Sequence, residues 1–172
     1  MYNGSWSLPD DVMRGVFETM QTHKIEKVLF YDDYVFTPDQ FLTYMKHPTN
    51  NVYVMAHEKE QVVDGIAWLN TWGPNYAFAH FAFFPWVWGK KTLKWGRKML
   101  GHWFSMQKDG YYIIDVVLGK IPNFNEKAID YTKRLGLTIM GSIPDLKLRY
   151  GDPDGCGATF MYITRKDFYN GR

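Results

Sequence analysis

A chain of 172 residues with 46% hydrophobic content can bury about 70% of the surface that its unfolded form exposes, enough for one core and a single domain over 1–172. Its formal net charge of +2, with both signs scattered along the sequence, excludes a global attraction to nucleic acid or anionic lipid, so any anion site is local. Cys156 is the one cysteine, which excludes an intrachain disulfide and a cysteine-based metal cluster and fits a reducing, cytoplasmic setting.

No basic segment followed by an apolar run and a small-residue cleavage site opens the sequence, and no stretch approaches the ~18 apolar residues of a membrane helix. The expectation is a soluble, unprocessed protein with no membrane partner. Aromatic residues make up 18% of the chain, but they recur inside strand and helix patterns and are read as core. With no RNA-binding motif among them, a nucleic-acid partner is not indicated.

Asp10 precedes Val12, Met13, Val16, Phe17 and Met20, an N-cap followed by helical spacing that predicts a helix to about His23. A short apolar run, Val28 to Tyr31, follows. Thr37-Pro38-Asp39-Gln40 reads as a capping box with Pro at the first helical position, and the helix it opens stops near Pro48. The runs 51–57 and 62–71 are β-branched or aromatic and flank the polar Glu58-Lys59-Glu60-Gln61, which predicts a hairpin. The almost wholly apolar 76–84 predicts a central strand buried on both faces, the third of an antiparallel set, ended by Pro85.

After Gly89 the period changes to that of a helix starting near Thr92, with Leu93, Met99, Leu100, Trp103 and Phe104 on one side. A buried strand over 111–118, a helix over 123–135 ended by Gly136, and a strand over 137–143 follow. A loop rich in Gly and Asp at 151–157 leads into a last strand, 159–164. This order predicts an α+β fold with one mixed, mostly antiparallel sheet of about six to seven strands, flanked by helices on both faces.

From residue 51 onward the element order and two local stretches resemble the GNAT superfamily, the Gcn5-related N-acetyltransferases. The stretch from Phe83 through Trp88-Gly89-Lys90-Lys91-Thr92 to Leu93 is similar to the end of that family's fourth strand, its pyrophosphate-binding loop and the helix that follows. Asn125-Glu126-Lys127-Ala128-Ile129-Asp130-Tyr131-Thr132-Lys133-Arg134-Leu135-Gly136-Leu137 is similar to the family's Asn-x-x-Ala-x-x-x-Tyr-x-x-x-Gly-Phe segment. The resemblance implies transfer of an acetyl group from acetyl-CoA to an amine. It places the cofactor against Phe83, Trp88, Gly89, Lys90, Lys91, Thr92 and Asn125, with backbone amides near Phe83 polarising the thioester carbonyl.

The sequence departs from the family pattern at informative places. Trp88, Lys91 and Leu93 stand where that pattern has Arg or Gln, Gly, and Gly or Ala. Thr132 stands at its proton-donating Tyr, while Tyr131 lies one residue earlier, about 100° around a helix. Lys90, Lys91, Lys94, Arg97 and Lys98 either meet an anion at the helix start or solvate a helix face. Asn125 is either a cofactor ligand or an N-cap. Candidate general bases are His80 and Asp115, ahead of His57 and Asp64, and the alternative for His80 is a hydrogen-bonded structural histidine. The five histidines show no metal-ligand spacing. More loosely, the chain resembles GNAT-like internal virion proteins of short-tailed phages, which implies protein partners in a virion, a role in assembly and no catalysis.

Overall fold

The computed structural model describes residues 7–31, 34–57, 62–148 and 155–171. The predicted turn Glu58-Lys59-Glu60-Gln61 and positions 151–154 of the predicted loop lie outside them. Two compact units are formed by the described residues of Met1–Asn70 with His80–Trp88, and of Thr71–Ala79 with Gly89–Arg172.

In the first unit, α1 (Asp10–Thr22) buries Met13, Val16, Phe17 and Met20, the apolar positions at helical spacing. Its N-cap is Pro9 rather than the expected Asp10, and no side chain caps it. The ring of Pro9 holds φ at −60° for the entry, and Asp10 moves inside the helix, where it pairs with Lys46 at 2.7 Å. The apolar run after it contributes to a single turn, α2 (Glu26–Leu29). The predicted capping box opens α3 (Pro38–Met45): Gln40 N donates to Thr37 Oγ1 at 3.2 Å and Thr37 N to Gln40 Oε1 at 3.1 Å. Phe17 stacks on Phe41 at 4.9 Å, and Phe30 on Trp68 at 6.2 Å, in a core shared by all three helices.

The hairpin strands are β1 (Asn51–His57) and β2 (Val62–Asn70), paired antiparallel. β2 is buried without alternation from Asp64 to Leu69. Gly65 explains how close its neighbour comes: a Cβ there would run into the Ala82 carbonyl and meet Phe83 Cα at 3.1 Å. Those contacts belong to β3 (Tyr76–Phe83). β3 does not have the two fully buried faces expected of it, since only Ala77 and Ala82 are buried. Its aromatic side chains are half-buried.

The second unit holds the first half of β3, which pairs parallel through Tyr76–Phe78 with a strand at Val116–Leu118. Its elements are α4 (Lys90–Ser105), β4 (Gln107–Lys108), β5 (Tyr111–Tyr112), β6 (Val116–Pro122), α5 (Glu126–Leu135), β7 (Thr138–Ile143), β8 (Ala158–Thr164) and α6 (Arg165–Asn170). The expected strand over 111–118 is therefore two elements. Asp109 and Gly110 have φ of 52° and 82° and turn Tyr111–Tyr112 back onto Gln107–Lys108 as a small exposed hairpin. Asp-Gly is the dipeptide that such a primed turn favours. α6 was not expected, although Thr164 accepts from Asp167 N at 3.0 Å, a cap visible in the sequence as Thr-x-x-Asp.

The strands follow the order β1-β2-β3-β6-β8-β7, with β6/β8 and β7/β8 antiparallel. The fold is the predicted α+β type, a mixed, mostly antiparallel six-stranded sheet flanked by helices. Two glycines give opposite tests of this packing. Gly65→Ala is expected to destabilise by about 1–3 kcal/mol through overpacking. Gly15→Ala, in α1 where an added Cβ meets nothing within 4 Å, is expected to stabilise by about 0.5–1 kcal/mol. Urea unfolding of both variants checks the pair.

Candidate functional site

The predicted cofactor stretch is built in two pieces. In the first unit the chain leaves β3 at Phe83 and turns through a 3₁₀ segment, Pro85–Val87. Val87 N donates to Phe84 O at 3.1 Å and Trp88 N to Pro85 O at 3.2 Å. The indole Nε1–H of Trp88 then closes back onto Phe83 O at 3.0 Å. Trp88, at the Arg/Gln position of the family pattern, thus ties its own loop together while most of its ring stays exposed.

In the second unit Gly89 has φ 102° and ψ −131°, a conformation that side chains resist, and an added Cβ would meet nothing within 4 Å. That backbone break lets α4 begin at Lys90, two residues before the expected start. Lys90 and Lys91 therefore occupy the first turn, no described side chain caps it, and it contains no acidic residue. The leading backbone N–H groups of a helix lack intrahelical partners and concentrate the positive end of its dipole. Two lysines there are unfavourable by about 0.3–1 kcal/mol each unless an anion answers them. Thr92 is buried, and its hydroxyl donates to Gly89 O at 2.6 Å.

α5 is packed against this helix. The Tyr131 hydroxyl donates to Thr92 O at 3.2 Å. Beneath it, a Cβ on Gly96 would run into the Tyr131 hydroxyl and meet both Leu135 methyls at 3.0 Å. Gly96 is the hole that admits the tyrosine. Burial pushes the Tyr131 phenol well above its ordinary value, against a smaller opposing pull from Arg134. Thr132 is buried one residue on, its hydroxyl within 3.0 Å of Ala128 O, 2.9 Å of Ile129 O and 2.9 Å of Met161 Sδ. Asn125 caps α5, its Oδ1 accepting from Ala128 N at 3.2 Å.

The candidate bases have contrasting surroundings. In the first unit His80 stacks on Trp68 with centroids 4.6 Å apart, and its Nε2 lies 3.0 Å from Asn70 Oδ1. Asn70 in turn donates through Nδ2 to Tyr44 Oη at 3.2 Å. In the second unit both Asp115 oxygens are engaged, one by Arg165 Nε at 3.0 Å and one by Asn75 Nδ2 at 3.4 Å. The same guanidinium lies 3.8 Å above the Tyr112 ring. Asp115 thus joins the start of β6 to the start of α6. His57 is the last residue of β1, and Asp64 is buried in β2.

The structure therefore gathers Gly89, Lys90, Lys91 and Thr92 on one helix start with Tyr131 behind them. Sequence reasoning sees Gly96 only as a residue that weakens its helix and misses both its packing role and the Tyr44–Asn70 support of His80, because each depends on a partner 10 to 39 residues away. Among the described residues no group of three or more His, Cys, Asp or Glu is placed to hold a metal ion, and no helix is long and apolar enough to cross a membrane.

Tyr131 generates a test with a defined sign. A phenol whose pKa is raised in the folded state contributes stability below the unfolded value near 10 and loses it as pH rises through and beyond that value. Wild-type protein is expected to lose stability from about pH 10 upward. Tyr131→Phe is expected to start about 0.5–1.5 kcal/mol less stable at pH 7 and to fall less steeply. Denaturant melts across this range read both effects.

No family model matches the sequence, and no curated protein matches it. Solved structures do match the fold. A spermidine N-acetyltransferase from Vibrio cholerae in complex with CoA and spermine has a TM-score of 0.74 at 13% identity, covering 96% of each chain. A GNAT-family acetyltransferase from Bacillus anthracis scores 0.71 at 14% identity over 94% of this chain and 93% of its own. A ribosomal L7/L12 α-N-protein acetyltransferase in complex with CoA scores 0.71 at 12% identity over 92% and 91%. With nearly the whole chain superposed on each of them, the protein has the GNAT fold of these acetyltransferases.

Proposed function

We propose that this protein transfers an acyl group from an acyl-CoA to an amine, with the CoA pyrophosphate held at the start of α4. The supporting observation is the helix start itself: Gly89 in an open, positive-φ conformation, no capping side chain, no acidic residue, and two lysines in the first turn. That donor set suits a diphosphate, which backbone N–H groups and the helix dipole bind together. Lys91, where the family pattern has glycine, adds charge at this position instead of clearance. When bound, acetyl-CoA supplies an activated thioester.

The remaining roles fall to residues with defined hydrogen bonds. Asn70, oriented by its bond to Tyr44, accepts from Nε2 of His80 and fixes the orientation of the ring. His80 is the proposed base for the attacking amine, since both Asp115 oxygens are already engaged. Neither Thr132 nor Tyr131 is assigned the proton-donor role, because both hydroxyls are turned onto protein acceptors. The setting we propose is the cytoplasm.

Thr132 also favours a second reading, a GNAT-fold protein without catalysis that serves as a virion component through protein partners. Calorimetry and thermal shift with CoA and acetyl-CoA separate the two. Binding at ~1 mM or better, with stabilisation of about 2.7 kcal/mol at a hundredfold excess over Kd, is expected of the enzyme. Absence of binding overturns it. With a polyamine or a peptide amine as acceptor, His80→Ala is expected to lower kcat by about 10²–10⁴ while leaving CoA affinity unchanged.

A further inference from the structure

α4 carries a charge pattern that a diphosphate at its first turn does not account for. Lys90, Lys91, Lys94, Arg97 and Lys98 are all exposed, and the helix contains no Asp or Glu. At ~100° per residue the five fall within a sector of about 120°, and at ~1.5 Å per residue they extend about 12 Å along the axis. The opposite side of the helix is the buried one, with Thr92, Gly96, Met99, Leu100 and Trp103. Elsewhere Arg14 meets Asp39 at 2.8 Å, Lys46 meets Asp10 at 2.7 Å and Arg165 meets Asp115 at 3.0 Å. Among the described residues none of the five has such a partner; Lys98 rests over the Trp95 ring at 4.9 Å. Neighbouring cations three and four residues apart repel one another on a helix. The overall charge is only +2, so one helix face holds a surplus of positive charge against a remainder that is net acidic.

We infer that this face, and Lys94, Arg97 and Lys98 in particular, binds the phosphate backbone of a nucleic acid without reading its bases. The chemistry favours phosphate over a protein surface. Lysine is depleted from protein interfaces, which seat aromatic and aliphatic anchors in a dry centre, and the exposed positions of this stripe are cations alone. Phosphate contacts need only Lys and Arg at helical spacing and carry no sequence information, in keeping with the lack of an RNA-binding motif. Lys94, Arg97 and Lys98 lie one to two turns beyond the residues assigned to the CoA pyrophosphate, so the two ligands can be tested apart.

Fluorescence anisotropy with a labelled oligonucleotide of about 20 nucleotides, single-stranded and duplex, tests the inference in the full chain. Binding at ~50 mM salt is expected, with log K falling against log salt at a slope of about −2.7 to −4.5 on the duplex, as three to five phosphate contacts require. The variant Lys94→Gln/Arg97→Gln/Lys98→Gln is expected to lose at least about tenfold in affinity and about 2.7 units of that slope, while keeping its circular dichroism and its CoA affinity. Lys94→Arg/Lys98→Arg, which preserves charge, is expected to bind as wild type does. Four outcomes overturn the inference: no binding at low salt; binding that the triple variant leaves unchanged; equal binding and competition by polyglutamate, which assigns the face to an acidic protein; or a matching loss of CoA affinity in the triple variant, which assigns it to the cofactor.

Discussion

A single backbone angle organises the part of the molecule on which the functional reading rests. With φ at 102°, Gly89 takes a conformation that L side chains resist, and the chain passes at once into α4. Because the helix starts there, Lys90 and Lys91 stand at its positive end and Thr92 faces inward to bond the Gly89 carbonyl. The basic face then runs on for two turns. Among the described residues, a Cβ at position 89 would meet nothing within 4 Å beyond its chain neighbours. The constraint is thus conformational and not steric.

Behind that start, α5 shows why similar sequences need not perform the same chemistry. Tyr131 and Thr132 are adjacent, but about 100° apart around the helix. Tyr131 reaches α4 over the missing side chain of Gly96, whereas Thr132 is turned onto β8 at Met161. A phenol in this helix has become a packing and hydrogen-bonding group, and the hydroxyl at the family's acid position serves its own helix and its neighbour. The acyl-CoA site proposed at the helix start uses neither hydroxyl, so that proposal does not depend on a side-chain acid in α5.

The first unit presents a different economy of polar groups. His80 lies flat on the buried Trp68, and the Asn70–Tyr44 pair fixes its ring edge. Asn70 ends β2 and Tyr44 lies in α3, so the orientation of one imidazole draws on three elements. Asp115, the other candidate, is tied to Arg165 and Asn75 and links the beginnings of β6 and α6. Both candidates are hydrogen-bonded, the histidine through Nε2 to Asn70 and the carboxylate through both of its oxygens.

Local chemistry made most of the elements legible in the sequence. Apolar positions at helical spacing marked α1, Thr37 to Gln40 marked the start of α3, Gly136 marked the end of α5, and the Asn125 segment pointed to the fold. Errors arose where two local signals competed or a cap was read one residue away, as at Pro9 against Asp10 and at the Asp109-Gly110 turn within an apolar run. What only the tertiary structure decided is which polar groups are already spent. Trp88 on Phe83, Tyr131 on Thr92, Thr132 near Met161 and His80 on Asn70 are pairings set by packing between elements. A hydrogen bond depends on distance and direction, and apart from the short Trp88 loop these partners lie far apart in sequence, where residue order carries no record of either.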